Sequence, residues 1–227
     1  MDIVDHIALS MGVAWTCGIN LYATVAVLGI MGATGHVVLP EQLAVLQSPE
    51  VIAIAAFMYC VEFFADKTPG VDSAWDAVHS FIRIPAGAVI AAQAMAPVSQ
   101  EAQFIAFLLG GAITTSAHGT KAATRLMINT SPEPFSNWIA SITEDVAAIG
   151  ALWVTFNHPY VIIAFVIAFF IFALWITPKI FRAFKVIIGK LAEFFSQKKE
   201  SPSATPEPPT SMASDDGVSS GGPQTGS

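Results

Sequence analysis

One short stretch of the sequence concentrates charged side chains between two long apolar runs. Asp72, Asp76, His79 and Arg83 follow one another at spacings of four, three and four residues. At 100° per residue these positions share one narrow face of a helix. Two carboxylates, an imidazole and a guanidinium on one face can hold a small cation or relay a proton. Because such side chains are costly near a bilayer, the face is a candidate functional site.

Further polar side chains lie at the same ends of the neighbouring apolar runs. The full set of candidate binding residues is Glu62, Asp66, Lys67, Asp72, Asp76, His79, Arg83, His118, Lys121, Arg125, Asn137, Glu144 and Asp145. The set predicts a polar vestibule that opens to the cytoplasm and is sealed on the outside by apolar helix. Each residue also has a structural interpretation, as an ion pair between helices, a solvated loop residue or a neutral histidine. Four polar faces that meet at one depth favour the functional interpretation.

The composition identifies the chain as a membrane protein. Hydrophobic residues make up 54% of its 227 residues and charged residues only 12%, whereas soluble domains carry about 25% charged residues. No basic patch interleaved with aromatic residues is present, so the sequence predicts no nucleic-acid partner. Cys17 and Cys60 are too few for a disulfide framework or a cysteine metal site. The first six residues lack the basic region of a signal peptide, so we expect the first helix to be retained.

Two parts of the sequence resemble each other. A shift of 63 residues aligns Thr68–Ile90 with Ser131–Trp153 without a gap, and six of the 23 positions are identical. The alignment predicts a duplicated helical hairpin, with repeats at about 51–97 and 101–157. Chance similarity between apolar helices is the alternative.

The apolar runs predict an all-α, polytopic membrane domain over residues 1–178. Its six expected spans are Ile7–Ala33, Val51–Asp66, 72–96, Glu101–Ile128, Phe135–Phe156 and Val161–Ile176. The first is long enough to cross with a tilt or a break, and Asn20 at its centre predicts a hydrogen bond between helices. All ten Lys and Arg residues fall on one side of this topology. The positive-inside rule therefore predicts that both termini lie in the cytoplasm of a bacterial inner membrane.

The last 49 residues have a different composition. Residues 179–199 interleave Lys179, Arg182, Lys185 and Lys190 with large apolar side chains, which is typical of an amphipathic helix on an anionic lipid surface. Residues 200–227 are rich in Ser, Pro and Gly and contain almost nothing that could form a core. They predict a disordered tail.

The charges also predict partners for one another. Arg83 is expected to pair with Glu144 in the first place and with Glu62 in the second. Seven acids, Glu133 among them, face four cations in the repeat helices. If each cation takes one acid, three acids remain, and we expect these to be Asp66, Asp72 and Asp76 because they lie nearest the turn at Lys67–Gly70.

The unpaired acids define the expected ligand. Carboxylates left together there would bind a proton or a small cation, with Asp72 and Asp76 as weak metal candidates. His79 could pass a proton inward. Lys121 and Arg125 could hold an anionic solute.

Four segments carry a resemblance to a known family. They are GINLYAT (18–24), ADKTPGVDSAWDAVHSFIRIPAGA (65–88), HGTKAATR (118–125) and NTSPEPFSNWIASITED (129–145). They resemble a family of small bacterial inner-membrane proteins known only as a domain of unknown function. The resemblance covers roughly residues 10–155 and implies a fold but no mechanism.

Three classes of function remain open at this point. The first is a transporter or channel-like protein for a small solute or ion, which the repeat and the charges at membrane depth favour. The second is a structural or assembly factor whose charges dock a partner. The third is a metal-assisted enzyme acting on a lipid or phosphate, although no nucleophile elbow, phosphate-binding loop or HExxH motif is present. No cofactor is predicted. The expected partners are the lipid bilayer and an unknown small solute or cation, and a homo-oligomer stays open.

Overall fold

Apolar segments punctuated by Pro, Gly and Asn fold into helices along the chain. The computed structural model describes the backbone of residues 1–68, 71–128 and 134–199, and their side chains except at 72, 73, 134 and 180–199. The helices are α1 (Ile3–Ile19), α2 (Leu21–Ala33), a 3-10 helix (Glu41–Gln47), α3 (Pro49–Ala65), α4 (Val71–Met95), α5 (Gln100–Ile128), α6 (Pro134–Asn157) and α7 (Pro159–Lys199). The described residues contain no strand, which confirms the all-α fold.

The predicted first span is broken at Asn20. This residue has an extended backbone (φ −148°, ψ 101°), and its N–H donates to the Thr16 carbonyl that closes α1. Its side-chain oxygen accepts a hydrogen bond from the Ala23 N–H, 2.9 Å away, and so caps α2. Asparagine suits this position because its short amide replaces the missing helical hydrogen bonds.

α1 and α2 form a hairpin that enters and leaves the bundle at the same end. His6 Nδ1 lies 2.8 Å from the carbonyl oxygen of Ala94, in the last turn of α4. Met1 and His6 also line a small cavity together with the segment 38–42, which follows α2. On α2, Gly29 packs against the Leu46 carbonyl of the 3-10 helix. This arrangement differs from a single crossing by residues 7–33, and it places the N-terminus beside the connection that follows α2.

α1 lies at the centre of the bundle, in contact with α4, α5 and α6. The approach to α5 is close at Gly18, where an added Cβ would lie 2.6 Å from both Ala117 Cβ and the Thr114 carbonyl oxygen. The Thr114 hydroxyl donates to the Ala14 carbonyl at 2.8 Å. Small residues and a buried hydroxyl are the usual means by which membrane helices pack tightly.

Many large apolar side chains lie on the outside of the bundle, while a group of charged side chains is buried inside it. Phe81 is 84% exposed, whereas Arg83, two residues further along α4, is 0% exposed. Three helical segments, 74–95, 135–157 and 159–179, are long and apolar enough to cross a membrane, and the bent pair of the 3-10 helix and α3 makes a fourth candidate. These counts cover the described residues, and they make the predicted number of six spans approximate.

The predicted repeats at about 51–97 and 101–157 correspond to α3 with α4 and to α5 with α6. The connections inside both pairs include residues 69–70 and 129–133, which lie outside the described residues. The duplication of the hairpin therefore stays a prediction.

The chain divides into two compact units, Met1–Phe181 and Arg182–Ser227. In the second unit the backbone of residues 182–199 is helical. The predicted apolar and basic faces of the segment 180–199 and the predicted tail 200–227 lie outside the described residues.

Candidate functional site

Seven charged side chains from four helices meet inside the first unit. We refer to them as the charged cluster: Glu62 and Asp66 at the end of α3, Asp76 and Arg83 on α4, Lys121 and Arg125 on α5, and Glu144 on α6. Six of these side chains are at most 4% exposed and the Glu144 side chain is 15% exposed. The cluster is therefore buried between helices rather than spread along an open surface.

Lys121 occupies the centre of the charged cluster. Its Nζ lies 2.9 Å from Asp66, 3.4 Å from Glu62, 3.5 Å from Asp76 and 3.7 Å from Glu144. One ammonium group thus faces four carboxylates from three other helices. This arrangement does not support the expected role of Lys121 in holding an anionic solute.

Arg83 pairs with Glu62 and not with Glu144. Its Nη2 forms a close ion pair with Glu62, and its Nη1 lies 3.3 Å from Asp76, two turns earlier on the same face of α4. The first-choice partner in the sequence prediction is therefore wrong and the second is correct. The two pairings differ because α3, which carries Glu62, lies beside Arg83. Glu144 on α6 instead lies next to Arg125, near the end of α5.

Arg125 joins the ends of three helices. It forms a bidentate pair with Glu144, with nitrogen–oxygen distances of 2.7 and 3.2 Å. Its Nη1 also donates to the backbone carbonyls of Asp66 and Asn137. Planar guanidinium groups suit this task because they present several donors in a fixed geometry.

The acids expected to remain unpaired are largely paired. Asp66 lies 2.9 Å from Lys121 and 3.5 Å from Arg125, and Asp76 contacts Arg83 and Lys121. The side chain of Asp72 lies outside the described residues. Lys67, by contrast, lies within 4.0 Å of no carboxylate among the described side chains. Its Nζ is 2.8 Å from the centre of the Phe63 ring and donates to the Ser141 hydroxyl.

A second polar contact connects the tip of the α1–α2 hairpin to α6. The Asn20 side-chain amide donates to Asp145 at 3.0 Å, and the Tyr59 hydroxyl donates to the other Asp145 oxygen at 3.2 Å. The hydrogen bond between helices that Asn20 predicted is confirmed. The sequence analysis did not select Tyr59 as a site residue. Its position one turn before Glu62 in an apolar run could have indicated it.

His118 rather than His79 lies beside Arg83, where His79 was expected to pass a proton inward. His118, not His79, contacts Arg83, at 3.1 Å from Nδ1, and its Nε2 is hydrogen-bonded to Ser80. His79 points to the Trp75 carbonyl and stacks on the Trp75 ring at 4.0 Å. Ser80, which sequence reasoning did not select, lies one turn after Asp76 on the same helix face.

A cavity of about 280 Å³ opens between α4 and α5 next to the charged cluster. Asp76, Ser80, His118 and Arg125 line it, together with apolar side chains. Most of its exposed lining is apolar, but it provides a space beside the described part of the charged cluster.

Three acids of the cluster also form a candidate cation site. Glu62, Asp66 and Asp76 each offer one oxygen within 4.8 Å of the other two. This set contains one of the two weak metal candidates from the sequence, Asp76. The metal prediction for Asp72 stays a prediction because its side chain is outside the described residues.

Together, the helical bundle with its outward apolar surface and buried ion pairs defines an all-α, polytopic membrane-type protein. A family model described as "Domain of unknown function (DUF4126)" matches residues 7–179. The chain therefore belongs to the DUF4126 family. The match extends past residue 155 and includes the first twenty-one residues of α7, which the sequence resemblance had left outside. Among curated proteins and solved structures, none matches the chain.

Proposed function

We propose that the protein moves a small solute or ion across the bacterial inner membrane, as a transporter or channel-like protein. In this proposal the charged cluster is the central binding station. The basic residues Lys67, Lys121 and Arg125, near the ends of α3 and α5, support an orientation in which the Lys67 end faces the cytoplasm.

The observation that carries the proposal is the meeting of a broken helix with buried charges. The break at Asn20 reaches Asp145, and Gly18 packs against the turn of α5 that holds His118. Discontinuous helices inside a membrane bundle commonly form ion and substrate sites, because the helix ends expose backbone groups there. Ionisable residues at such a depth are usually functional, since a bundle held only by packing has no need of them.

Transport can be tested with the purified full-length protein in liposomes. Uptake of labelled sodium, potassium and phosphate, and pH changes in the lumen, should reveal at least one flux absent from empty liposomes. The variant Asp66→Asn should reduce that flux, whereas Glu101→Gln, an exposed carboxylate at the start of α5, should not. If no tested solute moves while the protein is folded and inserted, the transport proposal is wrong for these solutes.

A structural or assembly role is the second candidate, and one observation favours it. Each of the three cations in the cluster, Arg83, Lys121 and Arg125, has at least two carboxylates within 4.0 Å. Such mutual pairing can fix the register of helices without binding a solute. In that case Asp66→Asn would lower the yield of folded protein in proportion to any loss of flux.

A further inference from the structure

We propose that Glu62, Asp66 and Asp76 form a binding site for a sodium ion, and that the Lys121 ammonium competes with the ion for these carboxylates. The inference rests on the proposed function and deepens it by naming the ion. It also assigns Lys121 a role as an internal competitor, which no sequence pattern indicated.

The first support is the unsatisfied side of the three acids. Glu62 Oε2, Asp66 Oδ1 and Asp76 Oδ2 are buried and have no hydrogen-bond partner among the described residues. The three residues are between 0 and 3% exposed. A buried acceptor without a partner is costly. Lys121 contacts the other oxygen of each carboxylate, and one oxygen of each acid lies within 4.8 Å of the other two. A cation that bridges the three carboxylates would offset the cost of their unpaired sides.

The second support is the charge of the cluster. Four carboxylates and three cations leave one negative charge when all are ionised. A monovalent ion makes the cluster neutral, whereas a divalent ion would leave it positive. Sodium is small and hard, and oxygen-only sites suit hard cations. An uncompensated charge inside a bundle is unfavourable, so neutrality selects the monovalent ion.

The third support is the position of Lys121. Its Nζ lies within 3.5 Å of one oxygen from each of the three acids, so it already occupies the place of a cation. Glu144, at 3.7 Å on the other side, offers the ammonium a second partner. When sodium enters, Lys121 shifts toward Glu144. The cavity lined by Asp76 and Ser80 gives the ion a route to the site.

The experiment measures sodium binding by the full-length protein in detergent. Binding of labelled sodium and thermal unfolding are recorded in sodium chloride and in choline chloride at equal ionic strength. We expect sodium, but not choline, to bind and to raise the unfolding temperature, because a ligand of the folded state stabilises it. Asp66→Asn should weaken sodium binding by at least the roughly 10- to 100-fold that loss of an outer-shell group costs in other metal sites, because it removes the charge of a direct ligand. Glu101→Gln should bind like the wild type.

The variant Lys121→Gln separates competition from a structural role. Without the ammonium, the site gains a negative charge, and we expect sodium to bind about tenfold more tightly or better. Sodium should also restore the thermal stability that the variant loses in choline. Unchanged or weaker binding in a folded Lys121→Gln variant would contradict the competition. If this variant does not fold, the proposal is tested with the wild type and Asp66→Asn alone. A wild-type protein that binds no sodium and has the same unfolding temperature in sodium and in choline would contradict the site.

The two proposals can fail separately. Sodium binding in detergent without any flux in liposomes contradicts transport and supports the site. A flux that is the same in sodium and choline, together with no sodium binding, contradicts the site and supports transport.

Discussion

Each charge in the cluster depends on its neighbours, because almost no water reaches it. Arg83 and Lys121 share two acids, Glu62 and Asp76. Removing one member of a buried pair leaves the other uncompensated and typically costs about 3–5 kcal/mol. This loss of stability should be smaller when the remaining charged partner is also replaced by a neutral residue. Double variants can therefore identify which residues form a pair.

We predict that Arg83→Ala lowers the free energy of unfolding and that Glu62→Gln partly restores it. Glu144→Gln is the matched control, because Glu144 is the same residue type in the same cluster but pairs with Arg125. The yield of monodisperse protein and its unfolding temperature are the measurements. Rescue by Glu144→Gln instead of Glu62→Gln would show that the pairing is different.

At the scale of residues, the sequence predicted the members of the cluster better than their pairing. Helical periodicity placed Asp76 and Arg83 on one face, because the angle between them depends only on spacing. It could not select between Glu62 and Glu144, because spacing gives depth along a helix but not which helix lies alongside. Lys121 illustrates the same limit, since its central position needs three neighbouring helices to be known.

Among the elements, α1 makes one of the close helix contacts with α5, at Gly18. The backbone of Gly18 approaches Thr114 and Ala117 so closely that no side chain fits between them. The same helix contact supports the Asn20 tip and, through α5, the position of His118. A substitution at this contact should therefore shift the side chains at the charged cluster.

We predict that Gly18→Ala destabilises the protein, by about 1–3 kcal/mol as expected for overpacking. Gly119→Ala is the matched control, because Gly119 lies on the exposed face of α5 with no other atom within 4 Å of an added Cβ. It should be neutral or slightly stabilising, since Ala favours helices by about 1 kcal/mol over Gly. Thermal unfolding in detergent distinguishes the two, and equal effects would contradict the close contact.

The break in the first apolar run could be suspected from sequence, but its consequence could not. Asn20 signals a polar interruption in an apolar segment. A run of about 27 apolar residues is equally compatible with one tilted crossing and with two short helices that turn back. The choice depends on contacts such as His6 with Ala94, which are remote in sequence.

For the whole molecule, the hairpin changes the expected topology. The N-terminus lies beside residues 38–42 and Pro97, at the end of the bundle opposite to the Lys67 turn and the charged cluster. The sequence prediction placed the N-terminus on the same side as Lys67. That prediction assumed that residues 7–33 cross the membrane once.

We predict that reporters fused at the N-terminus, after Gln47 and after Gln100 read the same side of the membrane. A reporter after Thr68 should read the opposite side, which the positive-inside rule identifies as the cytoplasm. Enzymatic reporters with opposite compartment requirements give the measurement. An N-terminal reporter that reads with Thr68 would contradict the hairpin and restore the single crossing.

We also predict that deletion of residues 202–227 leaves folding and insertion intact, because this segment has little apolar surface to bury. Replacing Lys179, Arg182, Lys185 and Lys190 with Gln should instead weaken membrane orientation, because basic residues near a span attract anionic lipid. Reporter orientation and unfolding temperature are compared between the two variants. Equal damage would indicate that the tail has a partner.

The contact between Asn20 and Asp145 also constrains the order of biosynthesis. The two residues are 125 positions apart, so the tip of the hairpin emerges from the ribosome long before α6 exists. Until then the amide has no partner inside the membrane, where an unsatisfied polar group is costly. The amino-terminal hairpin should therefore wait at the membrane surface and enter only after the later helices have been inserted. We therefore expect the first segment of this chain to be synthesised to be among the last to be integrated.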